Sequence, residues 1–205
     1  MNAKPEPDGA GLRARKKHAL RERLYQDALT LFRRDGFEAV PVSAICAAAG
    51  VAKGTFFNHF PTKDHVLLEW YARLNAQANA APPPGPLDQR LIALARGFFD
   101  ATLVDADLWR AKQQRAALNA DFRKAELDSD AETRALAAQL FRDAAERGEI
   151  AAEPDAAACA ELYVALLSGT VHDWVLQDGA LDLRAAIERR TAALCAALAR
   201  PGRRP

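Results

Sequence analysis

Residues 42–60 hold two short helical patterns separated by very little: only Val51 and Ala52 stand between Gly50 and a run that begins at Lys53. Two helices joined so tightly must cross sharply, and the crossing needs particular residues in particular places. Small side chains must line the close approach, and Cys46 and Ala49 do. A residue that accepts positive φ must make the turn, and Gly50 does. Apolar side chains must tie both helices to a core, a role for Ile45, Val51, Phe56 and Phe60. The pattern is a helix-turn-helix, whose second helix can enter the major groove of DNA.

The rest of the chain predicts an all-α fold of about nine helices and no sheet. Ala, Leu, Arg and Glu, strong helix formers, dominate, and no stretch alternates as a strand would. Met1 to about Arg15, with Pro5, Pro7, Gly9 and Gly11, reads as a flexible arm. A first helix follows over 17–35, with Leu20, Leu24, Ala28, Leu31 and Phe32 along one stripe and Gly36 as its stop. A short second helix starts at residue 41 or 42 and ends at Gly50; Pro41 suits its first turn. A third covers 53–60, ended by Pro61. A fourth starts at Thr62, its expected N-cap, and runs towards 80. Pro82-Pro83-Pro84-Gly85-Pro86 is the strongest break in the chain. Further helices are expected over 87–104, 107–118, 129–147, 155–176 and 183–199, with Asp155 and Asp182 as N-caps. The expected domains are 16–65 for DNA binding and 66–205 for regulation.

Net charge is only +1, but it is unevenly spread. Residues 1–65 carry eleven basic and seven acidic side chains, a net +4, and the remainder is −3. A basic front suggests a polyanion partner; a solvated basic surface is the other reading. No apolar run suggests a membrane span, and no apolar leader stands at residues 1–11, so the expected location is the cytoplasm. Cys46, Cys159 and Cys195 form no CxxC pair, which argues against a disulfide framework or a zinc site. No catalytic pattern of the GxSxG, P-loop or GxGxxG kind occurs, and neither Ser43 nor Ser168 has an evident base partner, so no enzyme, metal or cofactor is expected.

From about Arg21 to Leu68 the chain resembles the DNA-binding domain of the TetR family of bacterial transcriptional regulators. The strings that carry the resemblance are Ala28-Leu29-Thr30-Leu31-Phe32, Gly36-Phe37, Ile45-Cys46-Ala47-Ala48-Ala49-Gly50-Val51, Gly54-Thr55-Phe56-Phe57 and His59-Phe60-Pro61-Thr62-Lys63-Asp64. The resemblance implies DNA contacts from Lys53, Gly54, Thr55, Phe57, Asn58 and His59, and a phosphate contact from Lys63 at the start of the fourth helix. Packing or helix capping is the competing role for His59. The chain departs from the family pattern in three places: Phe57 replaces a usual Tyr, Ala52 a usual Ser or Thr cap, and Val40-Pro41 a usual Thr-Thr. The domain then leans more on Arg13, Arg15, Lys16 and Lys17 for phosphate or minor-groove contacts.

The resemblance further implies a homodimer through the last two helices. Leu162, Ala165, Leu166 and Gly169 form the expected stripe on one, and Leu183, Ile187, Ala192, Leu194 and Leu198 on the other. The dimer would read a palindromic operator of double-stranded DNA. A small apolar or aromatic ligand is expected among the regulatory helices, at Phe98, Trp109, Gln113 and Trp174. The function so read is a ligand-released repressor, with the fourth helix as the lever between ligand and DNA. The alternatives are an activator or protein-sensing regulator of the same kind, and an architectural DNA binder without sequence preference. For Cys159 and Cys195, a redox role stands against buried, inert thiols.

Overall fold

The computed structural model describes residues 9–78, 82–151 and 155–199, apart from the side chains of 9, 10, 77, 78, 98, 101 and 102. Nine helices run through the described residues: α1 (Gly9–Asp35), α2 (Val42–Ala49), α3 (Lys53–Phe57), α4 (Lys63–Ala78), α5 (Leu87–Val104), α6 (Ala106–Leu118), α7 (Ala120–Glu146), α8 (Ala156–Leu176) and α9 (Leu183–Leu198). Among them there is no strand, only an isolated antiparallel bridge between Ile150 and Ala199. The chain divides into two compact units between Glu69 and Trp70, within α4.

Three boundaries differ from expectation. Residues 1–8 of the expected arm lie outside the described residues, but 9–15 are the first turns of α1. The Leu, Arg, Ala and Lys that follow Gly11 propagate a helix well enough to absorb two glycines. α3 stops at Phe57 rather than Phe60, although the Phe60 N–H still donates to the Phe56 carbonyl at 2.8 Å. α7 begins nine residues earlier than expected, at Ala120. Asp128-Ser129-Asp130 reads as a helix start in sequence, yet Ser129 is buried mid-helix and its carbonyl accepts from the Thr133 hydroxyl at 3.0 Å.

In the first unit, Leu24, Ala28 and Phe32 of α1 are buried with Ile45, Phe56, Phe60, Val66 and Leu67. Phe32 meets Phe37 edge-on at 4.9 Å. In the second unit α7 packs along α8, and α9 lies against α5 and α8. The core there gathers Leu91, Leu94, Phe141, Ala144, Cys159 and Tyr163. Tyr163 is fully buried and donates its hydroxyl to the Leu91 carbonyl at 2.6 Å, so its one polar atom is satisfied. The proline-rich break, Pro82 to Pro86, joins α4 to α5 inside this second unit.

Candidate nucleic-acid interface and ligand cavity

The tight turn forms as the sequence demands. Gly50 takes φ 63 and ψ 38, the left-handed region. Its N–H donates to the Ala47 carbonyl at 3.2 Å, and that of Val51 to the Cys46 carbonyl at 3.0 Å. This pair of bonds closes the C-terminus of α2 and redirects the chain within two residues. Cys46 and Ala49 are buried where the helices approach. Neither helix start is capped by a side chain: Pro41 and Ala52 supply none, as those residue types dictate.

α3 presents a clear division of faces. Phe56 and Phe60 are fully buried, while Lys53, Gly54, Phe57 and Asn58 are exposed. Thr55 and His59 are half-buried. Phe57 is held edge-on to Phe56 at 5.5 Å, so a ring without a hydroxyl stands at the surface. The His59 ring is kept below the usual imidazole range by burial first, then by the positive charges of Lys17 and Arg21. Its carbonyl accepts from Arg21, which also pairs with Glu69 and lies 4.2 Å over the Phe60 ring. Arg13, Arg15, Lys16 and Lys17 are all exposed on α1.

Lys63 has a seat that sequence reasoning missed. Its ammonium donates to the carbonyls of Phe37 at 2.7 Å, Val40 at 3.1 Å and Glu38 at 3.3 Å, and lies 4.4 Å over the Phe37 ring. It therefore ties the start of α4 to the loop between α1 and α2. The Thr62 hydroxyl stands 2.9 Å from His65 Nδ1, a different partner from the backbone N–H of an N-cap.

The second unit encloses a cavity walled by α4 to α8. It holds about 550 Å³ of empty space with its open mouth included. Leu94, Phe99, Val164, Leu167 and Val171 supply apolar wall. Of the expected ligand residues, Trp109 and Gln113 line it. The Phe98 side chain lies outside the described residues, and Trp174 does not reach the cavity. One turn beyond Val171, Trp174 is buried at the end of α8, with Arg110 5.4 Å above its ring.

The charged part of the wall was not anticipated. Lys112 is buried, donates to Glu126 Oε1 at 2.6 Å, and lies 4.5 Å over the Tyr71 ring and 5.1 Å over Trp109. Burial holds the Lys112 ammonium below the usual lysine range, partly offset by Glu126. Burial pushes the Tyr71 phenol up to about 12, eased by hydrogen bonds with Ser129 and Asn75. Asp130 is raised by burial and then by Glu126, with Lys112 and Arg134 opposing. The available signal was Lys112 on the buried stripe of Leu108, Trp109 and Ala116, where a solvated lysine does not belong.

Residues 24–70 match the family described as bacterial regulatory proteins, tetR family. The transcriptional regulator AcuR of Cereibacter sphaeroides is 34% identical over 170 residues, covering 76% of this chain and 71% of AcuR. The chain belongs to the TetR family. The chain is also similar to the HTH-type transcriptional regulator TcmR of Streptomyces glaucescens, 35% identical over 97 residues; that alignment covers 47% of this chain and only 43% of TcmR. In fold, the chain is similar to Thermus thermophilus FadR, a TetR-family repressor solved with lauroyl-CoA. The TM-score is 0.63 at 22% identity, covering 90% of this chain and 98% of FadR. These relatives are named as transcriptional regulators, not as enzymes.

No helix among the described residues is long and apolar enough to cross a membrane. Among the same residues no group of three or more His, Cys, Asp or Glu stands ready to hold a metal. The Cys195 thiol is pushed up to about 12 and that of Cys159 is raised, in both cases chiefly by burial, which favours inert thiols over reactive ones.

Proposed function

We propose that the protein is a dimeric, sequence-specific DNA-binding regulator, a repressor released from a palindromic operator when a small molecule enters the cavity. The observation that carries this reading is the α2–Gly50–α3 turn, which sets Lys53, Gly54, Phe57 and Asn58 on an exposed face while Phe56 and Phe60 anchor it. Thr55 and His59 flank that face. The amide and ammonium groups suit base edges and phosphates. Lys63 fixes the start of α4 to the loop after α1, and at that helix start it is also the residue expected to meet a phosphate. Lys17 and Arg21 add positive potential beside His59.

Dimerisation rests on the outward faces of α8 and α9. Leu162 and Leu176 are exposed, as are Ala165, Gly169, Ala192, Ala193 and Ala196. Small side chains permit close helix approach, and exposed leucines gain from being covered. On α9, Leu183 and Ile187 are buried in their own unit, and Leu194 and Leu198 pack against its core. The interface on that helix is therefore built on alanine. Two-fold pairing places the recognition helices in successive major grooves, about 34 Å apart or slightly more.

Release follows if the ligand prefers the conformation that does not fit DNA. α4 carries Lys63 in its first turn and Tyr71, on the cavity wall, about two turns later, so both functions meet on one helix. Such a regulator works in the bacterial cytoplasm, where the operator is. The reading is tested by selecting from a random duplex library on the full chain. Recovery of an inverted repeat supports it. A library retained without consensus points instead to an architectural binder.

A further inference from the structure

The charge on the cavity wall is unbalanced. Among the described lining residues Lys112 is the one cation, and Glu126 and Asp130 are two carboxylates on the same face of α7. The Lys112 ammonium is already engaged by Glu126 at 2.6 Å and by the faces of Tyr71 and Trp109. Asp130 receives no hydrogen bond from any described residue, although its carboxyl stands one turn from that of Glu126. Arg134 also acts on Asp130, but it ranks below Lys112 in effect and does not line the cavity. A half-buried carboxylate beside a second carboxylate, and short of donors, is destabilised until a positive group joins it.

We propose that the cavity takes a small organic cation, its ammonium seated on Asp130 and its apolar body against Leu94, Phe99 and Val164. The proposal rests on the reading of this cavity as the regulator's ligand site. A ligand anion would have to part Glu126 from Lys112 and then lie beside two carboxylates. A neutral ligand would leave the imbalance as it is. A cation corrects the imbalance, makes a charge-assisted hydrogen bond, and meets an aromatic ring as well.

The test is calorimetric titration of the full-length dimer with three probes of like shape: phenethylamine, phenethyl alcohol and phenylacetate. The amine is expected to bind at least about tenfold more tightly than the alcohol, and the acid more weakly than either. In Asp130→Asn the amine should fall to the level of the alcohol while alcohol binding holds, which also shows that the cavity still forms. Asp130→Glu should keep the preference for the amine. Tightest binding by phenylacetate, an amine preference that survives Asp130→Asn, or no binding of any probe up to millimolar concentration overturns the proposal. DNA release is read separately on the selected operator. An amine that binds but leaves the DNA complex intact counts against the regulatory reading and supports the charge class. Phenylacetate that binds and releases DNA does the reverse.

Discussion

At Gly50 the backbone holds φ 63, and a Cβ built there would meet only the Arg23 guanidinium, at 3.8 Å. The obstacle to substitution is therefore conformational and not steric crowding. A left-handed residue with a side chain costs about 1–2 kcal/mol, and a β-branched one more. Gly50→Val is expected to abolish operator binding and lower the thermal midpoint while sedimentation still shows a dimer; retained specific binding would contradict the turn's role. Lys63 allows a sharper distinction. If its three carbonyl bonds fasten α4 to the loop after α1, Lys63→Met weakens folding of the DNA-binding unit by about 1–3 kcal/mol in urea titration. A lysine that served phosphate alone would leave folding unchanged and reduce only DNA affinity. The turn was legible in the sequence because Gly50, Cys46 and Ala49 each answer a local demand. The seat of Lys63 was not, because its partners lie more than twenty residues away and are backbone atoms, which leave no mark in the choice of side chains.

Helices show the same division between local and distant causes. α5, α8 and α9 begin and end close to where apolar spacing and punctuation place them. Asp182 caps α9 through a bond from the Ala185 N–H at 3.0 Å. Asp155 stands at the corresponding place before α8, but its side chain makes no capping bond. The start of α7 was missed because its cap is Asn119, whose side chain accepts from the Asp121 N–H at 2.8 Å, well ahead of the polar run at 128–130. Of that run Ser129 is buried and Asp130 lines the cavity, while Asp128 pairs with Lys124 at the surface; it reads as a boundary only because polar residues inside a helix are usually solvated. Asn119→Ala is expected to cost about 1 kcal/mol, by thermal or urea unfolding, and Asp155→Ala much less. Equal losses at the two sites would show that the capping bond is not what stabilises α7. The Lys112–Glu126 pair was hidden for a related reason, since two charges on different helices disclose their partnership only once α6 and α7 are packed.

For the molecule as a whole, positive charge is in excess over residues 1–65, and Arg13, Arg15, Lys16 and Lys17 are exposed and available to phosphates. Each phosphate contact adds about 0.9 to the slope of log affinity against log salt. Neutralising those four residues should flatten the slope on any duplex, because phosphates carry no sequence, and should leave operator preference in place. An unchanged slope would remove the basic part of α1 from the interface. Sequence preference itself is the central claim, and one binding experiment reaches it directly. The purified protein is titrated against the DNA flanking its own gene and against a scrambled duplex of equal length, at two salt concentrations. A gap of about 10³-fold or more, persisting at the higher salt, is the predicted result. Equal affinity for the two duplexes, falling together as salt rises, would contradict it.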